Sequence, residues 1–221
     1  MGTATAQPAA NVRPATDHDA PQLATMLTRS FATCPAWQWY LPPESNDRLA
    51  RMERFFEFVL RGLYLRPGRE CVTTDDLAGA ALWDPPNRWQ LDARDNLRML
   101  AVMIRTFRGT APRALRGFGA LDRHPSAPHW YLSVLGIDPD ARRSGAAEAV
   151  IGPGLERCDR QRVAAYLETG RPQSRDFFTQ HGFEVTEELE LPGGGPPVWR
   201  MWREPNPNTR QESPTWPTTT A

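Results

Sequence analysis

The second half of the chain alternates strands and helices with turn residues between them, and that order admits few folds. His129 to Ile137 reads as a strand, Arg143 or Ser144 to about Gln161 as a helix, Ala164 to Thr169 as a strand, and Gln173 to His181 as a helix closed by Gly182. Phe183 to Leu191 and Val198 to Arg203 read as a closing antiparallel pair around Pro192-Gly193-Gly194-Gly195-Pro196-Pro197. Strand, helix, strand, helix, strand predicts a mixed α/β sheet. Upstream, Val12 to Thr16 reads as a short strand, followed by a helix with Leu23, Met26, Leu27 and Phe31 on one face. A second helix is expected from Asp47 to about Leu63, a hairpin from Glu70 to Trp83 turning at Asp75 and Asp76, and helices over Asp95 to Phe107 and Ala114 to Leu121.

Composition narrows the class. The 26 basic side chains are all Arg and are balanced by 26 acids, so there is no basic field for nucleic acid or an anionic membrane. Without Lys, Schiff-base catalysis is excluded. Cys34, Cys71 and Cys158 are odd in number and widely spaced, which draws neither a disulfide framework nor a zinc motif, and no metal is expected. No apolar run reaches the roughly 18 residues a membrane span requires. The first residues lack an export signal, so the chain is expected in the cytoplasm. Residues 1–10 and 205–221 are poor in apolar side chains and are expected to be disordered tails around one domain, 11–204. The series Arg94, Arg98, Arg105, Arg108, Arg113 and Arg116 reads as the solvated side of helices.

The stretch from Trp130 to Ala147 carries the chemistry. A strand ends, a short turn follows, and a helix opens on Gly145, Ala146 and Ala147. Small side chains there let an anion approach the free amides of a helix N-terminus, where the helix dipole also favours negative charge. Spacing alone fits a plain strand-to-helix connection equally well.

Arg142, Gly145 and Ala147 match the helix opening of the GNAT superfamily of N-acetyltransferases, and the run Leu135-Gly136-Ile137-Asp138-Pro139 resembles that family's splayed strand end. Tyr166-Leu167-Glu168-Thr169 and His181-Gly182-Phe183-Glu184-Val185 resemble its next strand and following corner. The run Leu191 to Trp199 is similar to the puromycin N-acetyltransferase-like branch. The resemblance covers about Trp130 to Arg203 and implies a mixed central sheet with a splayed middle strand and flanking helices. It also implies acetyl-CoA as cosubstrate, held by Leu135, Ile137, Arg142, Arg143, Ser144, Gly145, Ala146 and Ala147, and a small-molecule primary amine (xenobiotic, antibiotic or metabolite) as acceptor. No nucleic acid or membrane partner is implied.

An attacking amine must be neutral, so a base is needed. Glu168, beside the splay, is the first candidate and His129 the second. Where the family places an Asn and then an acid Tyr, this chain has Ser174 and Phe178. Phe has no proton to give, which leaves Ser174 or water as donor. The same departure admits an alternative, a catalytically silent or repurposed protein that binds CoA or a metabolite. Trp37, Trp39 and Tyr40 are expected in a loop, as an aromatic wall for the acceptor or as core. Asp84, before Pro85-Pro86, reads as a turn cap or a holder of a substrate ammonium.

Overall fold

The computed structural model describes residues 10–207. The helices are α1 (Ala20–Phe31), α2 (Pro35–Tyr40), α3 (Arg48–Val59), α4 (Ala93–Phe107), α5 (Ala111–Leu121), α6 (Ala146–Gln161) and α7 (Pro172–Gln180). The strands are β1 (Val12–Pro14), β2 (Glu70–Thr74), β3 (Gly79–Asp84), β4 (His129–Ile137), β5 (Ala164–Thr169), β6 (Glu184–Glu190) and β7 (Pro197–Arg203). They form one sheet in the order β1-β2-β3-β4-β5-β7-β6. Every pairing is antiparallel except β4 with β5. A parallel pair needs a long crossover, and α6 supplies it. The mixed α/β sheet expected from the element order is therefore present.

Each face of the sheet buries its own apolar layer. On the front, α1, α3 and the aromatic residues of α2, α4 and α5 pack over Ala80 and Leu82; on the rear, Val150, Ile151, Leu155 and Cys158 of α6 and Phe178 of α7 pack over Ala81, Trp83, Leu132 and Leu167. Alternate residues of β3 thus serve opposite layers, which is why the whole strand is apolar up to Asp84. Gly154 has a packing reason to lack a side chain, because a Cβ there would lie 2.4 Å from the Trp83 indole.

Four local differences from the expected elements have identifiable causes. Residues 35–40 form a helix rather than a loop; it is too short to show periodicity, and its Pro35 sits in the first turn, where a missing N–H costs nothing. It turns Trp37 and Tyr40 into the core, where Trp37 meets Phe55, Phe56 and Phe107 with ring centroids 5.1–5.9 Å apart. The β2–β3 turn is longer than two residues, because Leu77 adopts a left-handed φ of 58° and the Thr74 hydroxyl and Asp76 carboxylate both accept from the Ala78 amide. Helix α6 begins at Ala146, after a single turn of 3-10 helix at Pro139–Ala141 and Gly145 at φ 79°. Beyond α3 the helix widens into a π turn at Leu60–Tyr64.

The expected tails lie mostly outside the described residues, but Asn206 is held through its amide by Asp159 at 2.7 Å. A groove of about 540 Å³ between α3 and α4 is lined by Arg54, Arg61, Arg66, Arg98 and Arg105. Acids answer part of that charge, since Arg61 pairs with Asp17 and Glu57, and Arg66 and Arg98 share Asp95. No helix among the described residues is long and apolar enough to cross a membrane.

Candidate active site

The sheet splits where β4 leaves β5. The two strands pair only from His129↔Ala164 to Leu132↔Leu167, while β4 runs on to Ile137 against β3 alone and β5 runs on to Thr169 against β7 alone. The cause lies partly in β4 itself. Leu82 pairs with Val134 and Trp83 with Leu132, so Ser133 is an extra residue that bends the strand. A V-shaped opening results, with Tyr131 and Glu168 on either side of its apex. Across its mouth, the Ile137 amide donates to the Ser30 hydroxyl at 3.1 Å, and Arg171 donates to the Ser30 carbonyl at 3.0 Å. Leu135 pairs with Ala81 and packs toward the rear layer.

The β4 arm leads to the N-terminus of α6. The first bond of that helix runs from the Ala149 amide to the Gly145 carbonyl at 3.0 Å, so the amides of Ala146, Ala147 and Glu148 have no partner within the helix. Ser144 turns inward, its hydroxyl donating to the Ala141 carbonyl at 2.8 Å. Arg142 and Arg143 are exposed and form no ion pair among the described residues. Free amides, a positive helix end and two uncommitted guanidinium groups suit a diphosphate. Gly145 is there for its backbone: nothing lies within 4 Å of a Cβ at that position, but φ is 79°.

The β5 arm carries a different chemistry. Alternation along β5 puts Tyr166 and Glu168 on the front face, beside Tyr131 of β4 and Arg200 of β7, which pairs with Glu168 across the strands. Tyr131 donates to Glu168 Oε2 at 2.8 Å. Glu168 Oε1 and the Tyr166 hydroxyl are both buried. Burial pushes the Glu168 carboxyl up to about 7, against the opposing pull of the Tyr166 and Tyr131 hydroxyls and of Arg200. Burial first, and then the Glu168 charge, holds the Tyr131 proton far more tightly than usual. A carboxyl that titrates near neutrality suits a general base.

His129 is committed elsewhere. Its Nδ1 faces the Ala127 carbonyl at 2.7 Å and must donate, so in the neutral ring Nε2 accepts from His124 Nδ1 at 3.1 Å. Trp89 stacks on His124 at 4.7 Å, and His124 meets the Tyr131 ring edge-on at 4.3 Å. Burial lowers the His124 pKa to about 4, which keeps the pair neutral. Asp84 is 1% exposed and bound to Arg69 at 2.8 Å and to the Tyr64 hydroxyl, so its charge is already answered within the protein. Ser174 lies on α7, is not brought into hydrogen-bond contact with Glu168, and makes no side-chain bond among the described residues. Four residues on, Phe178 is packed on Phe183 in the rear layer.

Tyr131, Tyr166, Arg200 and His124 were not singled out by the sequence. Only Tyr166 had a signal there, since it shares the strand face of Glu168 by period-two alternation. The others come from elements distant along the chain.

The site is thus a mixed sheet split between two parallel strands, with a helix N-terminus at one arm and a carboxylate at the apex. A model of the acetyltransferase (GNAT) family matches residues 37–183, and the chain belongs to that family. It aligns over 94% of its length with 99% of a solved Corynebacterium glutamicum protein described as histone acetyltransferase HPA2 and related acetyltransferase, at 25% identity and a TM-score of 0.67. The fold is shared with a Drosophila melanogaster polyamine N-acetyltransferase that forms N-acetylagmatine (15% identity, 88% of this chain, 99% of that one, TM-score 0.58). It is shared also with arylalkylamine N-acetyltransferase 2 of Aedes aegypti (13% identity, 89% and 99%, TM-score 0.53). The fold thus carries an acetyl-CoA site of the family's kind.

Proposed function

We propose that the chain is an acetyl-CoA-dependent N-acetyltransferase that acetylates a primary amine of a small molecule, a xenobiotic, antibiotic or metabolite, and that it works in the cytoplasm. The observation that carries this reading is the Glu168 carboxyl at the apex of the split, raised by burial to about 7 and hydrogen-bonded by the Tyr131 hydroxyl. The acetyl thioester is a substrate here, consumed at each turnover. Arg142, Arg143 and the amides of Gly145, Ala146 and Ala147 would hold its diphosphate, with Ser144 shaping the turn. The β4 backbone at Leu135 would face its pantetheine arm, and Ile137 would do so once Ser30 releases its amide. Holding amine and thioester together at the apex supplies much of the rate, and Glu168 accepts the nitrogen proton as the neutral amine attacks.

The run Leu191 to Trp199 supports placing the chain in the puromycin N-acetyltransferase-like branch, which makes antibiotic resistance the activity to test first. Calorimetry with acetyl-CoA and CoA, together with thiol release over an amine panel that includes puromycin, tests the whole reading. Binding with amine-dependent release supports it. Binding without release on a broad panel favours a silent CoA-binding protein, a reading motivated by Phe178, and absence of binding overturns the assignment of residues 142–147.

A further inference from the structure

Forming an amide from an amine and a thioester moves one proton from nitrogen to sulfur. The helix position that would deliver it to sulfur is filled here by Phe178, 5% exposed and facing the rear layer. The proton must reach the thiolate from another group. Three tyrosines stand near the front of the split. Tyr166 is 0% exposed, so its hydroxyl is enclosed away from any substrate. The Tyr64 hydroxyl is committed to Asp84 in a buried pair. Tyr131, by contrast, is half-buried and donates to the candidate base, one residue before the last β4–β5 pair.

Given the transferase reading above, we propose that Tyr131 is the general acid that protonates the departing thiolate, and that Glu168 replaces its proton. The amine lone pair forms the C–N bond, and Glu168 takes the nitrogen proton on Oε2, the oxygen that faces the Tyr131 hydroxyl at 2.8 Å. The C–S bond breaks with its electron pair on sulfur. Tyr131 gives its hydroxyl proton to that sulfur, and the carboxylic acid of Glu168 returns a proton to the phenolate across the 2.8 Å contact. One proton has passed from nitrogen to sulfur, and both side chains end as they began. The order is physically sound because the Glu168 charge is one of the causes that hold the Tyr131 proton, and protonating Glu168 removes it. The apex then needs no donor on α7.

The test compares two thioester analogues of the same shape, acetyl-CoA and acetyl-seleno-CoA, whose selenolate is less basic and leaves without a proton. With acetyl-CoA, Tyr131→Phe is expected to lower kcat about 10²- to 10⁴-fold, the usual worth of a general acid. With the selenoester the loss should shrink to a few-fold, and the amine KM should stay unchanged on both. An equal loss on both donors, or none on acetyl-CoA, overturns the assignment. If Tyr131→Phe does not fold, fluorotyrosine at position 131 keeps the shape and acidifies the hydroxyl. It should change kcat on acetyl-CoA and leave the selenoester rate alone, and unchanged rates on both overturn the proposal. Absence of amine-dependent release by the wild type overturns the transferase reading itself, whereas a donor-independent loss overturns only the acid.

Discussion

The phosphate end and the proton end of the split share the strands β4 and β5 but are assembled differently. From Asp138 to Ala147 every group of the proposed phosphate site belongs to one contiguous run, half-buried to exposed apart from Ala146, and would bind through backbone amides and two guanidinium groups. Around Glu168 the groups come from β4, β5 and β7, are largely removed from water, and would act through their protonation states. The first arrangement tolerates water and side-chain variation because the helix end does much of the work. The second depends on desolvation: the same burial that raises Glu168 toward neutrality would be lost if the Tyr131 and Tyr166 walls opened.

This difference can be broken experimentally in a graded way. The largest effect is expected at the proton end, where Glu168→Gln should lower kcat about 10²- to 10⁴-fold while CoA affinity by calorimetry changes little. At the phosphate end, Arg142→Ala combined with Gly145→Val should weaken CoA binding about 10- to 100-fold, as expected for a lost charge-assisted contact and a strained helix start, with kcat at saturation nearly intact. Equally tight binding would sink the assignment of that site.

Phe178→Tyr separates the two ends from the rear layer. Its hydroxyl would enter the apolar packing around Phe183 without a partner, so it should destabilise the fold by about 1–3 kcal/mol in denaturant unfolding and bring no gain in rate. A clear rate increase would mean that the α7 position reaches the leaving thiol.

The smallest effect is one of linkage. The folded Glu168 pKa of about 7 lies above its ordinary 4.5, so the folded state holds the proton more tightly and wild-type stability falls as pH rises through that window. Glu168→Gln removes the fall. Its stability relative to wild type should rise between pH 5 and 8 by an amount on the order of 1 kcal/mol.

The strand, turn and helix opening proposed to hold the diphosphate were legible as structure because their information is local. Strand, turn, Gly and helix follow one another within eighteen residues, and Gly145 signals its own backbone conformation. The element order in the second half was legible for the same reason, with each strand or helix marked by its own period. The proton end was only half legible. Glu168 stood out by its place on a strand, but Tyr131 and Arg200 reach it through β-pairing of segments 32 and 37 positions away in the chain. Pairing register is a tertiary property that alternation within one strand does not encode. Helix α2 was missed because six residues are too few to show a period, and the turn after β2 because its length is set by Thr74 and Asp76 side chains capping the Ala78 amide.

The most direct test of the central claim is the pH dependence of kcat/KM for acetyl transfer, measured in parallel for the wild type and Glu168→Gln with an amine that the wild type accepts. If Glu168 is the base, wild-type kcat/KM rises to a plateau through an apparent pKa near 7, and that limb is missing from the residual activity of Glu168→Gln. A limb near 7 that persists unchanged in Glu168→Gln would contradict the account and assign the proton transfer to another group.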